Sequence, residues 1–199
     1  MKKCFLSVIS ILTIGFGIAQ NVADLETLEK ALKPGAVLTY DVNQGGKKYQ
    51  LIATIKKLDT EILFDWKCTE PINQTGKVAI STNAVSKADA VFSMFMGGES
   101  KLENETALFL SKKTFNDVQT NTESKMKVTG KNDTLTLMSN TIAEFGVTVD
   151  GNFLSIPGWE LQGGSEIKYT IQAVESQKFP LITKLDLGWT MQLLEIKSQ

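Results

Sequence analysis

The sequence predicts an all-β fold, an antiparallel barrel or sandwich with one or two short helices plugging an end. Three observations carry that expectation. From Ala36 onward apolar residues recur with a period of two. About a dozen such runs are separated at short intervals by Gly, Pro, Asn and Asp turn signals. Few stretches carry a helical period, so alternating βαβ units are disfavoured.

The first segment reads as an export leader. Met1-Lys2-Lys3 is cationic, and Cys4–Ile18 is an apolar run of 15 residues. A spanning helix needs about 20. Gly17 and Ala19 stand at −3 and −1 of a cut after Ala19, as signal cleavage requires. The expectation is therefore a signal peptide over 1–19 and one β domain over 20–199, with no membrane-integral part after the leader is removed. Cys4 has no cleavage box before it, so it is not a lipidation site. Cys68 is then the sole mature cysteine, and no internal disulfide is available.

After the leader, Val22, Leu25, Leu28 and Leu32 give a short N-terminal helix that Lys33-Pro34-Gly35 stops. Strands follow. Ala36, Leu38, Tyr40 and Val42 alternate with polar neighbours up to a hairpin turn at Gln44-Gly45-Gly46. Tyr49, Leu51, Ala53 and Ile55 share one face of the return strand. Ile62–Cys68 and Lys77–Thr82 complete a four-strand meander. Asn83–Met96 fits a helix with Ala84, Ala88, Val91, Phe92 and Phe95 on one stripe. Leu102–Leu110 reads as a strand, and Ser111 caps a short helix carrying Phe115 and Val118. The second half predicts strands at 125–129, 134–139, 142–149, 152–156, 166–175, 181–187 and 189–197. Asp150-Gly151 is a hairpin signal, and Pro157-Gly158 reads as a turn holding Trp159.

Composition removes much chemistry. There are 21 basic and 22 acidic residues, no histidine, and every basic residue is a lysine. The near-neutral balance and scattered lysines argue against nucleic acid, which selects clustered cations and arginine forks. Without histidine there is no Ser-His-Asp or Cys-His nucleophile and no imidazole-held metal. Gly-rich phosphate loops and nucleophile elbows do not occur. No cofactor is expected.

Carboxylate catalysis survives this filter, because a glycosidase needs only two acids. Glu99, Glu103 and Glu105 form the densest cluster, with Glu103 and Glu105 on one predicted strand face. Asp65 beside Trp66 and Glu160 beside Trp159 are further candidates. All five read first as solvated surface. Cys68 falls in phase with Phe64 and Trp66, which places it in the core.

One surface stands out. Val91, Phe92, Met94, Phe95 and Met96 widen the apolar arc of the predicted helix to roughly 200°, against about 100° for an ordinary surface helix. The segment is either a core plug or a contact for something greasy, for which methionine is well suited. Trp159 in its predicted turn reads first as packing over the edge of the core, and it is a second candidate contact, since an indole can line a pocket mouth. Trp189 reads as structural.

The leader, the strand opening Pro34-Gly35-Ala36-Val37-Leu38-Thr39-Tyr40, and the closing Phe179-Pro180-Leu181-Ile182, Leu187-Gly188-Trp189 and Leu194-Glu195-Ile196 resemble small exported all-β proteins of unknown function from Gram-negative bacteria. That resemblance implies a periplasmic or extracellular location and supplies no catalytic residues. The early Gly-x-Trp triplet of lipocalins is missing from the strand at Ala36. Together these readings lead to a non-enzymatic exported β domain binding an apolar small molecule, a lipid-like group or an envelope protein. The alternatives are a carboxylate-only hydrolase acting on glycans and a structural or adhesive envelope component.

Overall fold

Period-two alternation sorts the first strands into a buried and an exposed face, and the computed structural model folds them accordingly. It describes residues 12–93, 95–121, 123–128, 134–163 and 169–199. The predicted meander forms as β1 (Val37–Gln44), β2 (Lys47–Leu58), β3 (Ile62–Cys68) and β4 (Thr75–Ile80), each antiparallel to the next. Leu38, Tyr40, Val42, Leu51, Ala53, Ile55, Phe64, Trp66 and Cys68 point into one buried core. Gly45 and Gly46 join β1 to β2 with φ of 57° and 77°. Two successive positive φ angles give the hairpin turn whose twist matches its strands, and glycine reaches them without strain.

The segment after β4 departs from expectation. The helix foreseen over Asn83–Met96 is only α2, Thr82–Lys87, the second helix in the chain. Ser81 Oγ caps it by accepting from Ala84 N at 3.2 Å. At Ala88 the backbone leaves helical space, with ψ at 139°. From there the backbone groups are taken by strands. Asp89 O accepts from Lys127 N, Thr106 N donates to Ala90 O, and Phe92 N donates to Thr106 O at 2.7 Å. Ala90–Val91 form the short β5, and β6 is Gly98–Leu102. The strand expected over Leu102–Leu110 is thus displaced towards the N-terminus, and only Thr106 and Phe109 beyond β6 keep isolated bridges. The helix at Ser111 is as expected. It is α3, Lys112–Asn121, with Ser111 Oγ accepting from Thr114 N at 3.1 Å and with Phe115 and Val118 buried.

The second half holds β7 (Glu123–Val128), β8 (Thr134–Val149), β9 (Asn152–Gly163), β10 (Tyr169–Val174), β11 (Ile182–Asp186) and β12 (Thr190–Lys197). The two strands expected over 134–149 are one, with a register shift between Ser139 and Thr141. Pro157-Gly158 is not a turn. β9 runs through it, pairing Pro157 with Glu144 and Gly158 with both Ala143 and Val174. Proline is tolerated there because its carbonyl still accepts, from Glu175 N at 2.9 Å.

The strands form a 12-stranded sheet in the order β5-β7-β8-β9-β10-β11-β12-β1-β2-β3-β4-β6. A further parallel pairing of Thr148–Val149 with Glu195–Ile196 joins β8 to β12. It closes β8 through β12 into a five-strand barrel, and the remaining strands extend from it. This settles the choice between barrel and sandwich in favour of a closed barrel with extra strands. The far ends of the order also meet, since β5 hydrogen-bonds to Thr106 just beyond β6.

The N-terminal helix, α1 (Leu12–Ala31), covers an edge. β10 reaches β9 only from Gly158 onward, so residues 152–156 of β9 lack that neighbour. Asp24 Oδ2 accepts from Ser155 N at 3.0 Å on this edge, and Glu29 Oε1 accepts from Ser176 Oγ at 2.5 Å. Covering an unpaired edge in this way removes a template for aggregation. Leu28, Ala31 and Leu32 are buried and Leu25 packs beside them, whereas Val22, at the start of the expected stripe, is exposed. Among the described residues no helix is long and apolar enough to cross a membrane.

Two predictions follow from this packing. A Cβ at Gly158 would lie 2.4 Å from Ala173 O and 2.7 Å from the Phe145 ring. Gly158→Ala therefore lowers unfolding stability by about 1–3 kcal/mol in urea titrations. Gly97→Ala, whose nearest neighbour is 3.7 Å away, leaves it nearly unchanged. At the β8–β9 hairpin, Asp150 accepts from Ser198 N at 2.8 Å and from Ser198 Oγ at 2.5 Å. These hydrogen bonds, with a smaller contribution from the Lys33 charge, hold the Asp150 carboxyl below its ordinary pKa. A depressed folded pKa contributes stability above the unfolded value, and that contribution fades as pH falls through the folded one. Urea midpoints measured at neutral pH and below pH ~4 will fall further for the wild type than for Asp150→Asn.

Candidate functional site

The predicted contact residues divide into three groups. Val91 lies in β5, is 1% exposed, and pairs with Val128, so it belongs to the core. Trp159 lies in β9, is 4% exposed, and its ring sits 4.6 Å from that of Phe115. It is a core residue three places from β5 in the strand order, and it does not line the same surface as Phe95 and Met96. Met94 falls outside the described residues. Phe92, Phe95 and Met96 remain together.

Those three lie between β5 and β6. Phe95 is the anchor. Its ring meets Trp66 edge-on at 5.4 Å, lies 6.4 Å from Phe64, and takes Phe92 edge-on at 5.7 Å. Edge-to-face geometry suits the ring quadrupoles and holds the stretch against the inner face of β3. Phe92 is half-buried, and Met96 is 68% exposed.

Beside this anchor is a half-enclosed cavity of about 140 Å³. Strand register explains where it lies. Met191, Val42 and Tyr49 are neighbours across β12, β1 and β2, and Leu51 faces Cys68 across β2 and β3. All are inward positions near one end of their strands, beside the Gly45-Gly46 hairpin and the Leu187-Gly188-Trp189 turn. Trp189, Gln44, Ser93, Phe95 and Met96 complete the wall. Trp189, read as structural from sequence, is a wall of the cavity as well. None of these lining side chains is charged.

The cavity is chemically neutral for a reason. Burial pushes the Cys68 thiol above its ordinary pKa. Burial does the same to the Tyr49 hydroxyl, and the neighbouring Cys68 adds to the effect. Both groups therefore keep their protons near pH 7. Tyr49 Oη donates to Gln44 Oε1 at 3.0 Å, which fixes a polar pair at the rim. A raised thiol pKa disfavours the nucleophilic thiolate, so this arrangement suits binding better than attack by Cys68.

The carboxylates lie elsewhere. Glu99 is in β6, while Glu103 lies beyond its end, so Glu103 and Glu105 do not share the strand face expected of them. Asp65 is paired with Lys56 at 3.4 Å. Glu160 accepts from Gln172 and Gln162, each at 2.8 Å, and these bonds hold its pKa down. A carboxyl held ionised is a poor proton donor. Among the described residues no group of three His, Cys, Asp or Glu could hold a metal ion.

Sequence reasoning found Phe95 and Met96 but missed the strand-end residues that complete the cavity. The available signal was the inward phase of Val42, Leu51 and Cys68 next to hairpin glycines. Period alone does not say that three different strand ends converge. Comparison with protein-family models, with curated proteins and with solved structures finds no match for this chain.

Proposed function

We propose that this chain is a non-enzymatic exported β domain that holds a small apolar group in the cavity beside Phe95. The observation that carries the reading is the cavity itself. It is neutral, half-enclosed, walled by Val42, Leu51, Phe95, Trp189 and Met191, and edged by the exposed Met96. Such concave, mostly apolar sites with a few polar groups are what small ligands use.

Size narrows the choice among the expected partners. About 140 Å³ is close to the ~150 Å³ of an apolar cavity that accepts benzene. Pockets that engulf drug-sized ligands run to about 300–1,000 Å³. A small molecule fits better than a lipid chain or a sterol. A purely adhesive role has no use for the cavity, and a carboxylate hydrolase would place acids in it.

The exposed edge at Met96 allows a clean test. Toluene binding, read by saturation-transfer NMR, is expected for the wild type. Met96→Asp places an unpaired charge at the mouth and weakens that binding by at least about tenfold. Because Met96 is mostly exposed, the same change alters unfolding stability by no more than about 0.5 kcal/mol. Equal transfer in both proteins overturns the reading.

Export is part of the proposal and rests on the Met1–Ala19 leader pattern. Amino-terminal sequencing of protein recovered from the periplasm or medium should begin at Gln20. Retention in the cytoplasm with Met1 intact would overturn that part alone.

A further inference from the structure

We propose that the occupant of this cavity is a free monocyclic phenol, with its ring inward and its hydroxyl at the rim. The inference rests on the binding reading above and adds the chemical class.

Three features select that class. The first is volume, which admits one six-membered ring and little more. The second is the make-up of the wall. Cys68, Met96 and Met191 bring sulfur to the cavity, and Phe95 and Trp189 bring aromatic rings. Sulfur atoms contact aromatic ring edges favourably, and aromatic rings favour one another edge-on. An aliphatic group of equal size gains neither contact. The third is the polar pair at the rim. Tyr49 Oη spends its proton on Gln44 Oε1. Its oxygen keeps acceptor capacity, and the Gln44 amide nitrogen carries two donor hydrogens. A ligand hydroxyl placed there can donate to Tyr49 and accept from Gln44, which a hydrocarbon cannot. The wall has no charged side chain to partner an ionised group, so the hydroxyl is bound as the neutral form.

Four probes separate these features: phenol, toluene, cyclohexanol and octan-1-ol, compared by titration calorimetry. Phenol is expected to bind about fivefold tighter than toluene, the scale of one net hydrogen bond. It should also bind tighter than cyclohexanol, which keeps the hydroxyl but lacks the aromatic ring. Octan-1-ol should bind weakest. Tyr49→Phe combined with Gln44→Ala should erase the preference for phenol while leaving toluene binding in place, which also reports that the variant is folded. Gln44→Ala alone, at an exposed position, should reduce the preference part-way. Toluene or octan-1-ol binding as tightly as phenol, or a preference that survives the double variant, overturns the phenol assignment and leaves the cavity reading intact. Binding of none of the four overturns both.

Discussion

Strand β12 carries an edge that β11 is too short to cover, and the rest of the structure depends on how that edge is satisfied. β11 pairs with β12 only over Thr190–Gln192. Beyond it, Glu195 and Ile196 would present bare backbone groups, which are costly when they are shielded from water. The end of β8 fills the gap. Thr148 and Val149 pair there in parallel, and Asp150 N donates to Ile196 O at 2.9 Å. One edge of β12 thus changes partner along its length, and that change closes the barrel. Its opposite edge pairs with β1 from Thr190 to Lys197, with one register shift between Thr39 and Tyr40, so the meander is attached to the closed unit along nearly the whole strand.

The same problem recurs on β9 and is solved with a side chain. Its first residues outrun β10, and Asp24 of α1 takes the Ser155 N–H. Tyr40 applies the same logic inside, donating from a fully buried hydroxyl to Ile182 O at 3.0 Å. Burial raises the Tyr40 pKa far above its ordinary value, so it remains a neutral donor. Closure also shapes the cavity. With β12, β1, β2 and β3 held in one register, their inward ends form a concave wall. Phe95 needs only to dock on Trp66 and Phe64 for the stretch after β5 to roof it.

Where sequence reasoning failed, a long-range pairing overrode a local pattern. Ala84, Ala88, Val91, Phe92 and Phe95 have helical spacing, but the backbone from Asp89 to Phe92 hydrogen-bonds to Lys127 and Thr106 instead. Those partners lie 14 to 38 residues away, beyond the four-residue reach of a helical hydrogen bond. Pro157-Gly158 carries a turn signature, yet β8 holds it extended. Gly158 is required there because Ala173 O and Phe145 leave no room for a Cβ, a packing demand that reads in sequence like a bend. Phe95 and Met96 were legible as unusual because apolar runs between strands are costly to expose. Trp159 was legible as packing at the edge of the core but not as a strand residue within it, because that place follows from the pairing of β9 with β8 and β10.

The amino-acid sequence by itself determined the β class, the four-strand meander with its glycine hairpin, the cap at Ser111, and the inward phase of Cys68. Each rests on side-chain periodicity or turn stereochemistry within a few residues. Only the tertiary structure decided the barrel closure, the course of the chain from Asp89 to Phe92, and the convergence of Val42, Leu51, Cys68, Phe95 and Met191 on one cavity. Those depend on which distant edges find each other, and period two is the same whichever partner a strand takes.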